Sequence, residues 1–244
     1  MAKNAVLNQI QKNIDESGFH LYLVTGGPSP RFLYTIGLIE KIGFELVLAG
    51  SAYFEDEDAS NIISRCSEAC LASPDVSELK FKIGKTMHCF SFAEIDASWH
   101  DTMLLGAVDF YKSKKIRAKQ IFPEPKYATI DIPRMSIPLS PHSNPMWRWL
   151  EAEWSYSIPD DSTVLTNVDA LQGRQLTEIA RWEDNTWAIF SGVGRSQSKI
   201  REVSMGIFLA LDPSLEFVID MEVDDGFWKE PNESKWKKWE NSEK

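Results

Sequence analysis

At 244 residues and 43% hydrophobic, the chain is long enough to bury a core and to divide into two domains. Its net charge of −10 is uneven: residues 1–150 hold 16 Lys and Arg against 17 Asp and Glu, a net of −1, whereas residues 151–244 hold 10 against 19, a net of −9. An acidic second half repels phosphates and attracts basic proteins, which argues against nucleic acid as a direct partner.

The chain begins with an amphipathic helix, because Val6, Leu7, Ile10 and Ile14 recur at helical spacing and Gly18 follows as a stop. Asn and Gln interrupt any signal-peptide core there, and no apolar run approaches a membrane span, so a cytoplasmic protein is expected. Strands are expected at 19–24, 31–38 and 44–50, the last apolar enough to be central, with the GGPSP loop of residues 26–30 after the first. Gly37 faces away from Phe32, Tyr34, Ile36 and Leu38 and leaves room for a neighbour. Ser51 is expected to cap a helix running to about Leu71, with Glu55 to Asp58 near its start, where negative charge suits the dipole. Strands at 79–84 and 87–95 follow, then a helix burying Met103, Leu104, Ala107, Phe110 and Tyr111, then a strand at 116–122.

Residues 123–145 hold six prolines, which prevent a continuous helix or central strand. The expected organisation is therefore α+β, with an N-terminal domain over 1–125, a Pro-rich linker over 126–150 and an acidic, Trp-rich domain over 151–244. In the last, strands are expected at 162–168, 175–182 and 186–192. A broken helical segment follows over 203–219, with Asp212 capping a new helix that has Pro213 at its first position.

The stretch LDPSLEFVIDMEVDDGFW, residues 211–228, holds Asp212, Glu216, Asp220, Glu222, Asp224 and Asp225 without a Lys or Arg. DMEVDDG resembles the start of a calcium loop, but Gly226 comes one place late and Pro231 stands where a bidentate Glu is needed. A solvated acidic face and a docking surface for a basic partner remain. If the segment is helical, Asp212, Glu216 and Asp220 stand four apart on one stripe, with Leu215, Val218 and Ile219 inward.

Cys66, Cys70 and Cys89 are odd in number and too few for a disulfide framework. With His88 they could be drawn as a zinc site, but adjacent strand residues point to opposite faces, so His88 and Cys89 do not readily share one ion. A Cys89–His100 nucleophilic pair has no supporting motif. The loop at 192–201 carries Arg195, Lys199 and Arg201 and could hold an anion, though it lacks a phosphate-loop pattern. Eight of nine tryptophans follow residue 146; Trp182 and Trp187 read as core. Trp228, Trp236 and Trp239 read either as exposed anchors or, for the last two, as the inner stripe of a terminal helix.

The segment Tyr34-Thr35-Ile36-Gly37-Leu38, followed by Glu45-Leu46 and later by Gln120 to Glu124, resembles the signature of a bacterial "YTIGL" domain family of unknown function. Trp187, Phe190, Ser191 and Gly192, then Leu211 to Leu215, resemble a small domain of immunity proteins in bacterial polymorphic toxin systems. That resemblance implies a cytoplasmic, non-enzymatic protein that binds and neutralises a toxin effector used in interbacterial competition. A nuclease toxin would present a basic cleft to an acidic surface. The expected partner-binding residues are Asp212, Glu216, Asp220, Glu222, Asp224 and Asp225 for charge, with Phe227 and Trp228 as anchors; no cofactor or metal is expected. The alternative is a metal-dependent enzyme using the Cys/His group or the acidic cluster.

Overall fold

The structure, a computed structural model, describes residues 2–113, 115–192 and 199–239. It is α+β throughout, as expected, and divides into two compact units with one mixed sheet each. Helix α1 (Ala2–Ser17) is followed by β1 (His20–Val24), β2 (Phe32–Ile36), a single-turn α2 (Ile39–Ile42) and β3 (Glu45–Ala49). Then come α3 (Asp56–Ala72), the hairpin β4 (Glu78–Ile83) and β5 (Thr86–Glu94), the short α4 (His100–Met103) and α5 (Leu105–Tyr111), and β6 (Ala118–Pro123). The second unit contains β7 (Thr163–Asn167), α6 (Val168–Leu171), β8 (Leu176–Glu183), β9 (Thr186–Ser191) and β10 (Ile200–Ser204). It continues with α7 (Met205–Leu211), a 3-10 segment (Pro213–Asp220), β11 (Gly226–Trp228) and β12 (Lys237–Lys238).

The first sheet has the order β1-β2-β3-β6-β5-β4, antiparallel except where β3 and β6 run parallel. β3 lies at the centre and is buried at every residue, as its apolar run requires. α3 covers one face with Ala59, Ile62, Ile63, Cys66 and Cys70, packed with Leu33, Leu46, Leu48, Phe81 and Phe90. Burying each large side chain of that set stabilises by roughly 1.5–3 kcal/mol.

Ser51 does not cap α3. The helix starts at Asp56 with Glu55 in the cap position, and Ser51 instead takes φ +64 in a turn closed by the Phe54 amide on its carbonyl. The side chain of Arg31 explains the delay. It donates to the carbonyls of Ser51 and Phe54 and pairs with Asp56, so residues 51–54 form a turn around a guanidinium before the helix begins. The three acids expected in the first turn, Asp56, Glu57 and Asp58, are there.

The second sheet has the order β10-β7-β9-β8-β11-β12, with β7 and β9 as its parallel pair. Residues 132–144 of the Pro-rich stretch belong to the first unit, where Gln120 donates to the Pro133 carbonyl and accepts from the Met135 amide. Residues 129–131 and the Gly26–Pro30 loop belong to the second. The chain thus passes between units more than once, rather than through one linker over 126–150. The C-terminal helix read as one option for Trp236 and Trp239 does not form among the described residues; both flank the short edge strand β12. No helix of the described residues is long and apolar enough to cross a membrane.

Gly37 holds φ +111, and a Cβ there would lie 2.8 Å from Ile14 of α1. The room expected beside this glycine is therefore filled by the first helix. Gly37→Ala combines backbone strain with that overlap and should lower unfolding free energy by about 1–3 kcal/mol, measured by denaturant titration. An unchanged midpoint would mean that α1 does not depend on this contact.

Candidate functional site

Two places concentrate polar groups, and they differ in kind. The first is Glu45, a carboxylate with no exposure at the start of the central strand. Its Oε1 accepts from the amides of Gly37 and Ile39, both at 3.0 Å, and from the Tyr111 hydroxyl at 2.5 Å. Its Oε2 accepts from the Thr35 hydroxyl at 2.6 Å and from the Leu38 amide at 3.4 Å. Thr35 Oγ1 in turn accepts from the Leu46 amide at 2.9 Å. The three amides lie at the N-terminus of α2, where a helix leaves donors without intrahelical partners. Glu45 folds back after α2 and caps it.

Burial pushes the Glu45 carboxyl above the ordinary range, while Thr35, Tyr111 and the amides of Ile39 and Gly37 pull it back; burial prevails. The same proximity pushes the Tyr111 hydroxyl well above its usual range, through burial first and the Glu45 charge second. The carboxylate itself is fully buried, and its geometry performs structural capping.

The second place is the acidic stretch of residues 212–225. Asp212 caps the following turn through the Ser214 amide, and Pro213 takes the first position, as expected. The turn is 3-10 rather than α, so three residues complete one turn and side chains at i and i+3 align. Leu215, Val218 and Met221 form the buried row. Asp212, Glu216 and Asp220 therefore fall on three different rows, and the four-residue stripe expected for an α-helix does not exist. Ile219 is half-buried rather than fully inward.

Arg181 and Trp187 hold this segment. The Trp187 indole donates to the Val218 carbonyl at 3.0 Å, and Arg181 stacks 4.6 Å over Trp187 while donating to the Met221 carbonyl. Asp225 pairs with Lys238 at 2.6 Å, which holds its carboxyl below the usual range, and it accepts from the Glu222 amide. Among the described residues, Asp212, Glu216, Asp220, Glu222 and Asp224 have no ion pair; Glu216 accepts only from the Tyr156 hydroxyl, at 3.3 Å.

Phe227 and Trp228 are adjacent on β11 and so point to opposite faces. Phe227 packs on Phe217 at 5.1 Å between centroids, and Trp228 is 37% exposed. The expected partner-binding set therefore spans both faces of the sheet.

Trp182, read as core, is 49% exposed, because the strand turns its side chain away from the face that carries Trp187. Periodicity alone cannot say which face of a two-sided strand is covered. Gly226, read against a calcium loop, serves packing: a Cβ on it would meet the Trp239 ring at 2.1 Å.

Cys66 and Cys70 are buried on α3, and burial pushes both thiols up. His88 faces Phe54 and Tyr127, while the Cys89 thiol donates to Glu78 at 2.5 Å, so the adjacent pair points to opposite sides. His100 lies on α4. Among the described residues no group of three or more His, Cys, Asp or Glu could hold a metal ion. Arg195 of the expected anion loop lies outside the described residues; Arg201 is buried on β10 and donates to the Ile200 carbonyl.

Residues 13–126 are similar to a family described as a domain of unknown function, DUF4262. The matched span contains the Thr35–Gly37–Glu45 network and ends before the acidic half. No curated protein and no solved structure matches the chain.

Glu45→Gln replaces an oxygen that accepts donors with an amide that donates, so it should cost about 2–3 kcal/mol. For the wild type, a carboxyl raised by folding binds more protons folded than unfolded. Its contribution is therefore most favourable below the ordinary Glu range and declines as pH rises through that range toward the folded value. The variant should lose that decline in urea titrations across pH; an identical pH profile would exclude Glu45 as its source.

Proposed function

We propose that the chain is an immunity protein that binds and neutralises a cognate bacterial toxin effector in the cytoplasm, stoichiometrically and without catalysis. One observation carries the reading. Five of the six carboxylates in residues 212–225 have no cation partner among the described residues, and the exposed Trp228 follows them closely in sequence. Unpaired carboxylates and an exposed indole in one domain supply what a basic protein surface lacks: charge for steering and an aromatic anchor. The resemblance of the second half to immunity domains supports the same partner class, as does the concentration of surplus acid there.

A nuclease fits as the toxin, because its cleft is basic to hold phosphates and carboxylates can occupy it in their place. The Glu45 network ties β2, the start of α2 and the end of α5 to β3 within the first unit.

The toxin is first recovered by affinity purification of the tagged chain from its own bacterium at moderate salt. Asp220→Lys with Asp224→Lys should then lower its association rate constant about tenfold at low ionic strength, with the difference shrinking as salt is added. Stopped-flow mixing measures both. A rate indifferent to the reversals and to salt would remove electrostatic docking from the account.

A further inference from the structure

The second sheet has a face that the acidic stretch does not explain. Trp228 pairs across β11 and β8 with Glu178, and Gly226 with Ala180, so these residues share one side, opposite Phe227 and Ile179. Trp239 lies on that side, directly against Gly226, with its centroid 6.0 Å from that of Trp182 and the rings tilted by 51°. The glycine at 226 is what admits the indole. The result is a face carrying three tryptophans, of which Trp182 is 49% and Trp228 37% exposed.

The carboxylates around it outnumber the cations. Glu178 stands opposite Trp228, and Glu183 and Asp184 are exposed in the turn after Trp182. Among the described residues these three have no ion pair. Lys237 lies 4.6 Å over the Trp228 ring and is held at 2.8 Å by Glu233. The chain thus already places a cation on the face of this indole.

Guanidinium groups stack on indoles more readily than ammonium groups do, and they fork toward neighbouring carboxylates. Tilted rings flanked by free carboxylates suit separate cationic side chains better than the flat track a neutral polysaccharide follows.

We propose that the face bearing Trp182, Trp228 and Trp239 is the seat for arginine side chains of a basic partner protein. The inference rests on the immunity reading above and extends its anchor from Trp228 alone to the face that Trp228 shares with Trp182 and Trp239.

The test titrates the full chain calorimetrically, at physiological salt, with a capped peptide of repeated Gly-Arg units. Wild type is compared with Trp182→Leu/Trp228→Leu, which keeps the charge, and with Asp220→Lys/Asp224→Lys; circular dichroism reports folding. The indole variant should bind about tenfold more weakly than wild type. A paired Trp182→Phe/Trp228→Phe variant should lie between them, and it decides the matter if the leucine variant does not fold.

Indole-variant binding within about twofold of wild type, with weaker binding by the charge reversals, would overturn this inference and leave the acidic-docking reading standing. Equal binding by all variants, or no binding by wild type, would overturn both. Indole-dependent binding of a neutral glucan oligosaccharide in place of the peptide would assign the face to carbohydrate instead and overturn the inference.

Discussion

Glu45 places a carboxylate where water cannot follow, and several elements of the first unit are arranged to replace that water. Five donors converge on it: three backbone amides from the start of α2, one hydroxyl from β2 and one from the end of α5. A buried charge without a countercharge is tolerated only when its oxygens are fully hydrogen-bonded. Here the hydrogen bonds also fix geometry. They pin the turn between β2 and β3, and they hold the last residue of α5 to the sheet. Gly37 completes the arrangement, because its positive φ aims an amide at Glu45 while its missing side chain admits Ile14.

The second unit solves a different problem with aromatic rings. Its sheet is covered on one side by the 3-10 segment, which Trp187 and Arg181 tie down through backbone carbonyls of residues 218 and 221. On the other side Trp239 closes over Gly226. Cations recur on these rings: Arg181 on Trp187, Lys229 on Trp236 and Lys237 on Trp228. In a domain with surplus acid, several basic side chains lie on indoles or pair with carboxylates, and several carboxylates are without partners among the described residues.

The two halves therefore differ in what their surfaces expose. The Glu45 network turns its carboxylate and most of its donors inward. The second unit turns unpaired acids and parts of two indoles outward. The proposed recognition of a basic protein rests on a surface of the second kind, where charge speeds encounter and ring faces hold what arrives.

The sequence by itself determined the α+β class, the first helix with its Gly18 stop, most strand positions, the Asp212–Pro213 turn entry and the acidic bias of the second half. Each follows from local periodicity, proline and glycine chemistry, or simple charge. It also marked Thr35, Gly37 and Glu45 as a motif, without saying why the three belong together. That reason lies in side chains meeting across 10 residues between Thr35 and Glu45, and across 66 between Glu45 and Tyr111. Tertiary structure alone decided that Ser51 leaves the helix to Glu55, because Arg31, just before β2, organises the turn. It decided that Asp212, Glu216 and Asp220 do not align, because the packing of Leu215, Val218 and Met221 selects a three-residue period. And it decided that Trp182 faces outward while Trp187 faces in, because a strand's alternation names two faces and only the elements packed against them choose which is covered.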